Sequence, residues 1–127
     1  MKKILIVDDQ VGWLEFHSKA VHEILGADVS IDKAPSAQEG YAKLLENSKN
    51  PYNYLLTDLQ MEDDYAPLLA GEWLVRQARN LLSSYKTKII IISASPRIRQ
   101  IAENYNVFYI KKSSAAVSIA IYKEFIN

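Results

Sequence analysis

Five short apolar runs, each followed by a stretch with apolar residues at helical spacing, restrict what this chain can become more than any other feature. The runs are Lys3 to Val7, Ala27 to Ala34, Tyr52 to Asp58, Lys88 to Ile92 and Val107 to Ile110. The first is apolar without alternation, as a parallel strand covered on both faces requires. The fourth is a β-branched block, the most strand-like segment of all. The second alternates Val29 and Ile31 with polar residues, which suits a half-exposed edge. Between the runs the period changes. Trp13, Phe16, Ala20 and Ile24 mark a helix from Val11 to Leu25 that stops at Gly26. Ser36 and Glu39 form a capping box for a helix through Tyr41, Leu44 and Leu45, broken at Asn50-Pro51. Leu74, Val75, Ala78, Leu81 and Leu82 share a face of a helix over Gly71 to Leu82. Ser95-Pro96 introduces a short helix through Ile98, Ile101 and Ala102, and Ser113 or Ser114 caps a last one through Val117, Ala120, Ile121 and Phe125. Strand and helix alternating in this way predict right-handed crossovers and one α/β domain, an open parallel sheet with helices on both faces.

Composition excludes several functions. The chain has 127 residues and zero formal net charge, so no overall field draws it to nucleic acid or an anionic membrane. It contains no cysteine, so disulfides and thiolate metal sites are out, as suits a cytoplasmic protein. The apolar start is cut by Asp8-Asp9 too early for a signal peptide or a membrane span.

In a doubly wound sheet, ligands bind outside the carboxyl ends of the strands. The first polar or charged residues after the runs are Asp8-Asp9, Asp58, Ser93 and Lys111, all at carboxyl ends and therefore on one rim. Crowded carboxylates repel unless a cation intervenes, and a purely oxygen ligand set suits Mg²⁺ or Mn²⁺. A lysine and a serine hydroxyl suit phosphoryl oxygens, so the set describes phosphoryl transfer onto a carboxylate. His17 and His22 fall on the first helix, off the rim, and read as surface or packing residues. Trp73 falls off its helix's apolar face and reads as packing under the long loop with Tyr65, Pro67, Leu68 or Leu69, in preference to forming part of a partner surface.

These same residues carry a resemblance. Lys3-Ile4-Leu5-Ile6-Val7-Asp8-Asp9, Thr57-Asp58-Leu59-Gln60-Met61, Ile91-Ile92-Ser93-Ala94 and Phe108-Tyr109-Ile110-Lys111 resemble the receiver domain of two-component response regulators, over nearly the whole chain. The resemblance implies one receiver domain over 1–127, stand-alone and like the chemotaxis regulators, with a flavodoxin-like five-stranded parallel sheet in the order 2-1-3-4-5. It implies that Asp58 accepts a phosphoryl group from a phosphohistidine on a sensor histidine kinase or a histidine phosphotransfer protein. By the same resemblance Asp9, Asp58 and the backbone carbonyl of Gln60 hold Mg²⁺, with Asp8 behind a water or bound directly. Lys111 pairs with Asp58, Ser93 donates to the phosphoryl group, and Phe108 is the aromatic that follows that movement. The output would be a protein target at the 95–126 surface, without direct nucleic-acid contact or membrane insertion.

Three positions depart from the family's pattern: Glu62 and Lys112 stand where prolines are usual, and the loop from Glu62 to Ala70 is longer than usual. Two other functions fit part of the pattern. A Mg²⁺-dependent phosphohydrolase with an aspartyl-phosphate intermediate needs a second carboxylate two residues past its nucleophile, where Asp58 has Gln60 and Asp8 has Gln10. A degenerate receiver switching without phosphate would not need the full acidic set that this chain keeps.

Overall fold

The computed structural model describes residues 1–81 and 86–127. The apolar runs form β1 (Lys2–Val7), β2 (Val29–Ala34), β3 (Tyr54–Thr57), β4 (Lys88–Ser93) and β5 (Phe108–Lys111). They pair in parallel in the order β2-β1-β3-β4-β5, the doubly wound arrangement expected. The crossovers are α1 (Val11–Leu25), α2 (Ala37–Glu46), α3 (Ala70–Leu81) and α4 (Ile98–Tyr105). Leu82, expected on the α3 face, lies outside the described residues.

Because strand side chains alternate between faces, the sheet splits its apolar residues into two cores. Leu5, Val7, Leu55, Ile89 and Ile91 pack with Leu44, Leu74, Val75, Ala78, Ile98 and Ile101 of α2, α3 and α4. Ile4, Ile6, Leu56, Ile90, Ile92 and Ile110 pack on the other face with Leu14, Ala20 and Val21 of α1 and with Tyr122 and Ile126. Each such Leu, Ile or Val side chain, almost wholly buried, contributes roughly 1.5–3 kcal/mol.

The α2 N-terminus is closed from two directions. Ser36 Oγ accepts from the Glu39 N–H at 3.1 Å, as the capping box predicts. Glu62, reaching in from the long loop, accepts from the Ala37 and Gln38 N–H groups at 2.9 and 3.3 Å. The residue replacing a proline thus ties the loop after β3 to α2, where a carboxylate also complements the helix dipole. Farther along the same loop, Tyr65 stacks on Trp73 with centroids 4.4 Å apart, the packing expected of that tryptophan.

The C-terminal helix differs from expectation. α5 (Lys112–Val117) begins at Lys112, not after a Ser113 or Ser114 cap, and ends at Ser118, which is extended (φ −156°, ψ 125°). A 3₁₀ turn over Ile119–Glu124 follows, opened by Ser118 Oγ accepting from the Ala120 N–H. The serine offers the backbone a local partner that competes with the helix. The restart changes which residues are covered: Val117 is 86% exposed, while Tyr122 and Ile126 are buried.

Candidate functional site

The sheet ladders continue one residue past β1 and β3, and this aims the two carboxylates. The Asp8 N–H bonds the Ala34 carbonyl at 3.1 Å and the Asp58 N–H bonds the Val7 carbonyl at 2.9 Å. Asp8 follows Ile6 by two residues and Asp58 follows Leu56 by two, so both share the face that α1 covers. Asp8 is fully buried, Asp58 nearly so, and Asp9 is exposed. Each of the three offers a carboxylate oxygen within 4.8 Å of the others'.

The cation that reaches them is Lys112. Its Nζ lies 2.9 Å from Asp58 Oδ2 and 3.0 Å from Asp8 Oδ2, with the side chain almost wholly buried. This corrects the assignment of Lys111, which is exposed at the end of β5. Ile110 points into the α1-side core, so alternation sends Lys111 to the other side and Lys112, two residues on, toward Asp8 and Asp58. The Lys112 ammonium also sits 5.0 Å over the Trp13 ring.

Asp58 is held further by its own backbone, Oδ1 accepting from the Leu59 N–H at 2.7 Å. Asp8 Oδ1 accepts from the Gln10 N–H at 2.9 Å. Asp8 Oδ2, although close to Lys112, accepts no well-formed hydrogen bond among the described residues.

The electrostatics follow from this crowding. Burial pushes the Asp8 carboxyl up, but the His17 ring, the Gln10 N–H and Lys112 together hold it below the usual carboxylate value. Asp9 is pushed up, by burial and by the charges of Asp8 and Asp58. Burial works against the Lys112 ammonium, yet Asp58 and Asp8 outweigh it and raise its pKa. Three carboxylates face one ammonium, leaving excess negative charge and an oxygen-only donor set. That set fits a hard divalent cation.

Ser93 ends β4, buried, with its Oγ accepting from the Ser95 N–H at 3.1 Å. It borders a cleft of about 410 Å³ lined also by Lys111, Lys112 and the start of α4. Phe108 does not share that face: it is 46% exposed, 5.3 Å from the Phe125 ring and beneath the Lys88 ammonium. The aromatic on the Ser93 side is Tyr109, which pairs with Ile91 and packs partly buried beside it. The one-residue shift of the lysine and that of the aromatic have the same cause.

Two participants escape a reading of motifs. His17, expected away from the rim, is buried with Nε2 3.8 Å from Asp8 Oδ2. Gly71 opens α3 directly against the exit of β3, its N–H bonded to the Leu59 carbonyl at 3.0 Å.

No protein-family model matches the chain, and no curated protein matches it. Solved structures do. The phosphorylated cyanobacterial phytochrome response regulator RcpA superposes with a TM-score of 0.77 at 16% identity, over 97% of this chain and 89% of that one. The D1050A mutant of the receiver domain of the histidine kinase CKI1 from Arabidopsis thaliana gives 0.72 at 18%, over 97% and 90%. A CheY-like response regulator receiver domain protein from Methanospirillum hungatei JF-1 gives 0.68 at 24%, over 98% and 94%. The fold is therefore that of receiver domains. No helix among the described residues is long and apolar enough to cross a membrane.

Proposed function

We propose that residues 1–127 form a receiver domain that takes a phosphoryl group onto Asp58 and signals through protein contacts. The observation that carries this reading is Lys112 bridging Asp58 and Asp8, with Asp9 alongside, at the carboxyl rim of a receiver-type sheet. Asp9, Asp58 and the Gln60 carbonyl would hold Mg²⁺, with Asp8 bound directly or through water. The ion supplies charge neutralisation for the incoming phosphoryl oxygens.

An Asp58 carboxylate oxygen attacks phosphorus; the O–P bond forms as the N–P bond of a phosphohistidine breaks, and the imidazole leaves with the electron pair. Lys112, released from Asp58, pairs with a phosphoryl oxygen, and the Ser93 hydroxyl donates to another. The new charge at Asp58 gives Ser93 and Lys112 partners that the resting state lacks, and Tyr109 would be the aromatic that follows Ser93. The donor is a sensor histidine kinase or phosphotransfer protein, and the responding surface is 95–126.

Incubation with acetyl phosphate and Mg²⁺ tests this by intact mass. The chain should gain one acid-stable, base-labile phosphoryl group, absent in Asp58→Asn and lost when the metal is chelated. An unmodified wild-type mass, or equal modification of Asp58→Asn, contradicts the reading.

A further inference from the structure

The Mg²⁺ reading leaves unused a buried histidine and a buried phenol behind the acidic pocket. His17 Nδ1 lies 2.6 Å from the Tyr122 hydroxyl, and its Nε2 faces Asp8 Oδ2 at 3.8 Å. Trp13 stacks on the imidazole, centroids 5.3 Å apart at 29°, and Phe16 meets it edge-on, so the ring plane is set from the sides. Both His17 and Tyr122 are almost wholly shut from solvent.

The proton's place follows by elimination. Burial and the Asp8 charge keep the Tyr122 phenol protonated. Its hydroxyl must therefore find an acceptor, and among the described residues its hydrogen-bond partner is His17 Nδ1. Were Nδ1 the donor instead, the phenol's proton would be stranded in the core and a ring lone pair would face the Asp8 carboxylate. Both are unfavourable in a buried site. So Tyr122 donates to Nδ1, the imidazole proton sits on Nε2, and Nε2–H points at the Asp8 oxygen that accepts no well-formed hydrogen bond. At 3.8 Å this is a charge–dipole contact, longer than a hydrogen bond.

We propose that His17 is the positioning residue of Asp8, locked in one tautomer by Tyr122, so that the C-terminal 3₁₀ turn is tied to the acidic pocket. This rests on the Mg²⁺ reading given above. Groups that orient metal-binding side chains from behind typically change metal affinity 10–100-fold when removed. The tie also gives the Ser118 restart a consequence, because it places Tyr122 at the ring.

Calorimetric Mg²⁺ titration of the full chain and its variants, with circular dichroism to confirm folding, provides the test. His17→Phe should bind Mg²⁺ about tenfold or more weakly. His17→Gln, whose amide N–H can stand where Nε2–H stands, should recover most of that loss. Ring ¹⁵N spectra should show the proton on Nε2 in the wild-type chain and a mixture of tautomers in Tyr122→Phe. A wild-type proton on Nδ1, wild-type affinity in His17→Phe, or no recovery in His17→Gln overturns the positioning role. A wild-type chain that binds no Mg²⁺ overturns the functional reading instead, and the ring spectrum, which needs no metal, separates the two failures.

Discussion

Gly71→Ala should destabilise the protein by about 3 kcal/mol or more, read as a lower urea midpoint with little change in slope. A Cβ at this position would lie 1.8 Å from the Asp58 carbonyl oxygen and 2.6 Å from the Leu59 Cα. Those neighbours are backbone, already fixed by the Asp58 N–H to Val7 and the Gly71 N–H to Leu59 hydrogen bonds, so no side chain can swing aside. α3 must move away from β3, which opens the core around Leu74 and Val75 and shifts Asp58 with its strand. The variant should therefore lose phosphoryl acceptance together with stability. Gly12→Ala is the control. Gly12 lies in α1 with nothing within 4 Å of its would-be Cβ, so alanine there should be neutral or stabilising by up to about 1 kcal/mol.

Lys112→Met should lose about 3–5 kcal/mol at neutral pH, because it leaves two buried carboxylates facing each other without their cation. Methionine keeps most of the volume, so the loss is electrostatic more than steric. It should shrink on acidification, since a protonated carboxyl tolerates burial. Lys111→Met should stay within about 0.5 kcal/mol of wild type, its side chain being exposed. The wild-type chain itself should show the opposite acid response. The Asp8 carboxyl is held below its ordinary 3.8, so it contributes stability that is present above that pH and lost as pH falls through its folded value. At the alkaline end, Lys112 is raised above 10.5. Its contribution is complete below that value and is lost as pH rises through the folded pKa. Urea midpoints across pH for wild type and Lys112→Met distinguish these curves. Parallel curves for the two would contradict the ion-pair account.

The strand–helix alternation was legible because length and period speak directly to backbone form, and the carboxyl-rim rule then brought Asp8, Asp9 and Asp58 together, with Ser93 at the end of the adjacent strand β4. The lysine was harder. In a parallel strand apolar on both faces, alternation is hidden, and the adjacent Lys111 and Lys112 both suit the rim. The decision lies with Ile110: once it is known to point into the α1-side core, only Lys112 has the parity of Asp8 and Asp58. The same hidden parity separates Tyr109, on the Ser93 side of the sheet, from Phe108. His17 looked like an ordinary member of an amphipathic helix because the partner that orients it, Tyr122, lies 105 residues away. Tyr122 in turn depends on the break at Ser118, a serine that could as readily have continued the helix. Gly71 read as the glycine opening a helix; that its missing Cβ faces the Asp58 carbonyl is a tertiary fact.

Beryllofluoride, an unreactive stand-in for a phosphoryl group, offers the most direct measurement. Added with Mg²⁺ to ¹⁵N-labelled protein, it should shift the amide resonances of Asp58, Leu59, Ser93 and Lys112 in one saturable step, and should do nothing in Asp58→Asn. Unshifted resonances at these four positions, or the same shifts in Asp58→Asn, would contradict the claim that this pocket is built to receive a phosphoryl group.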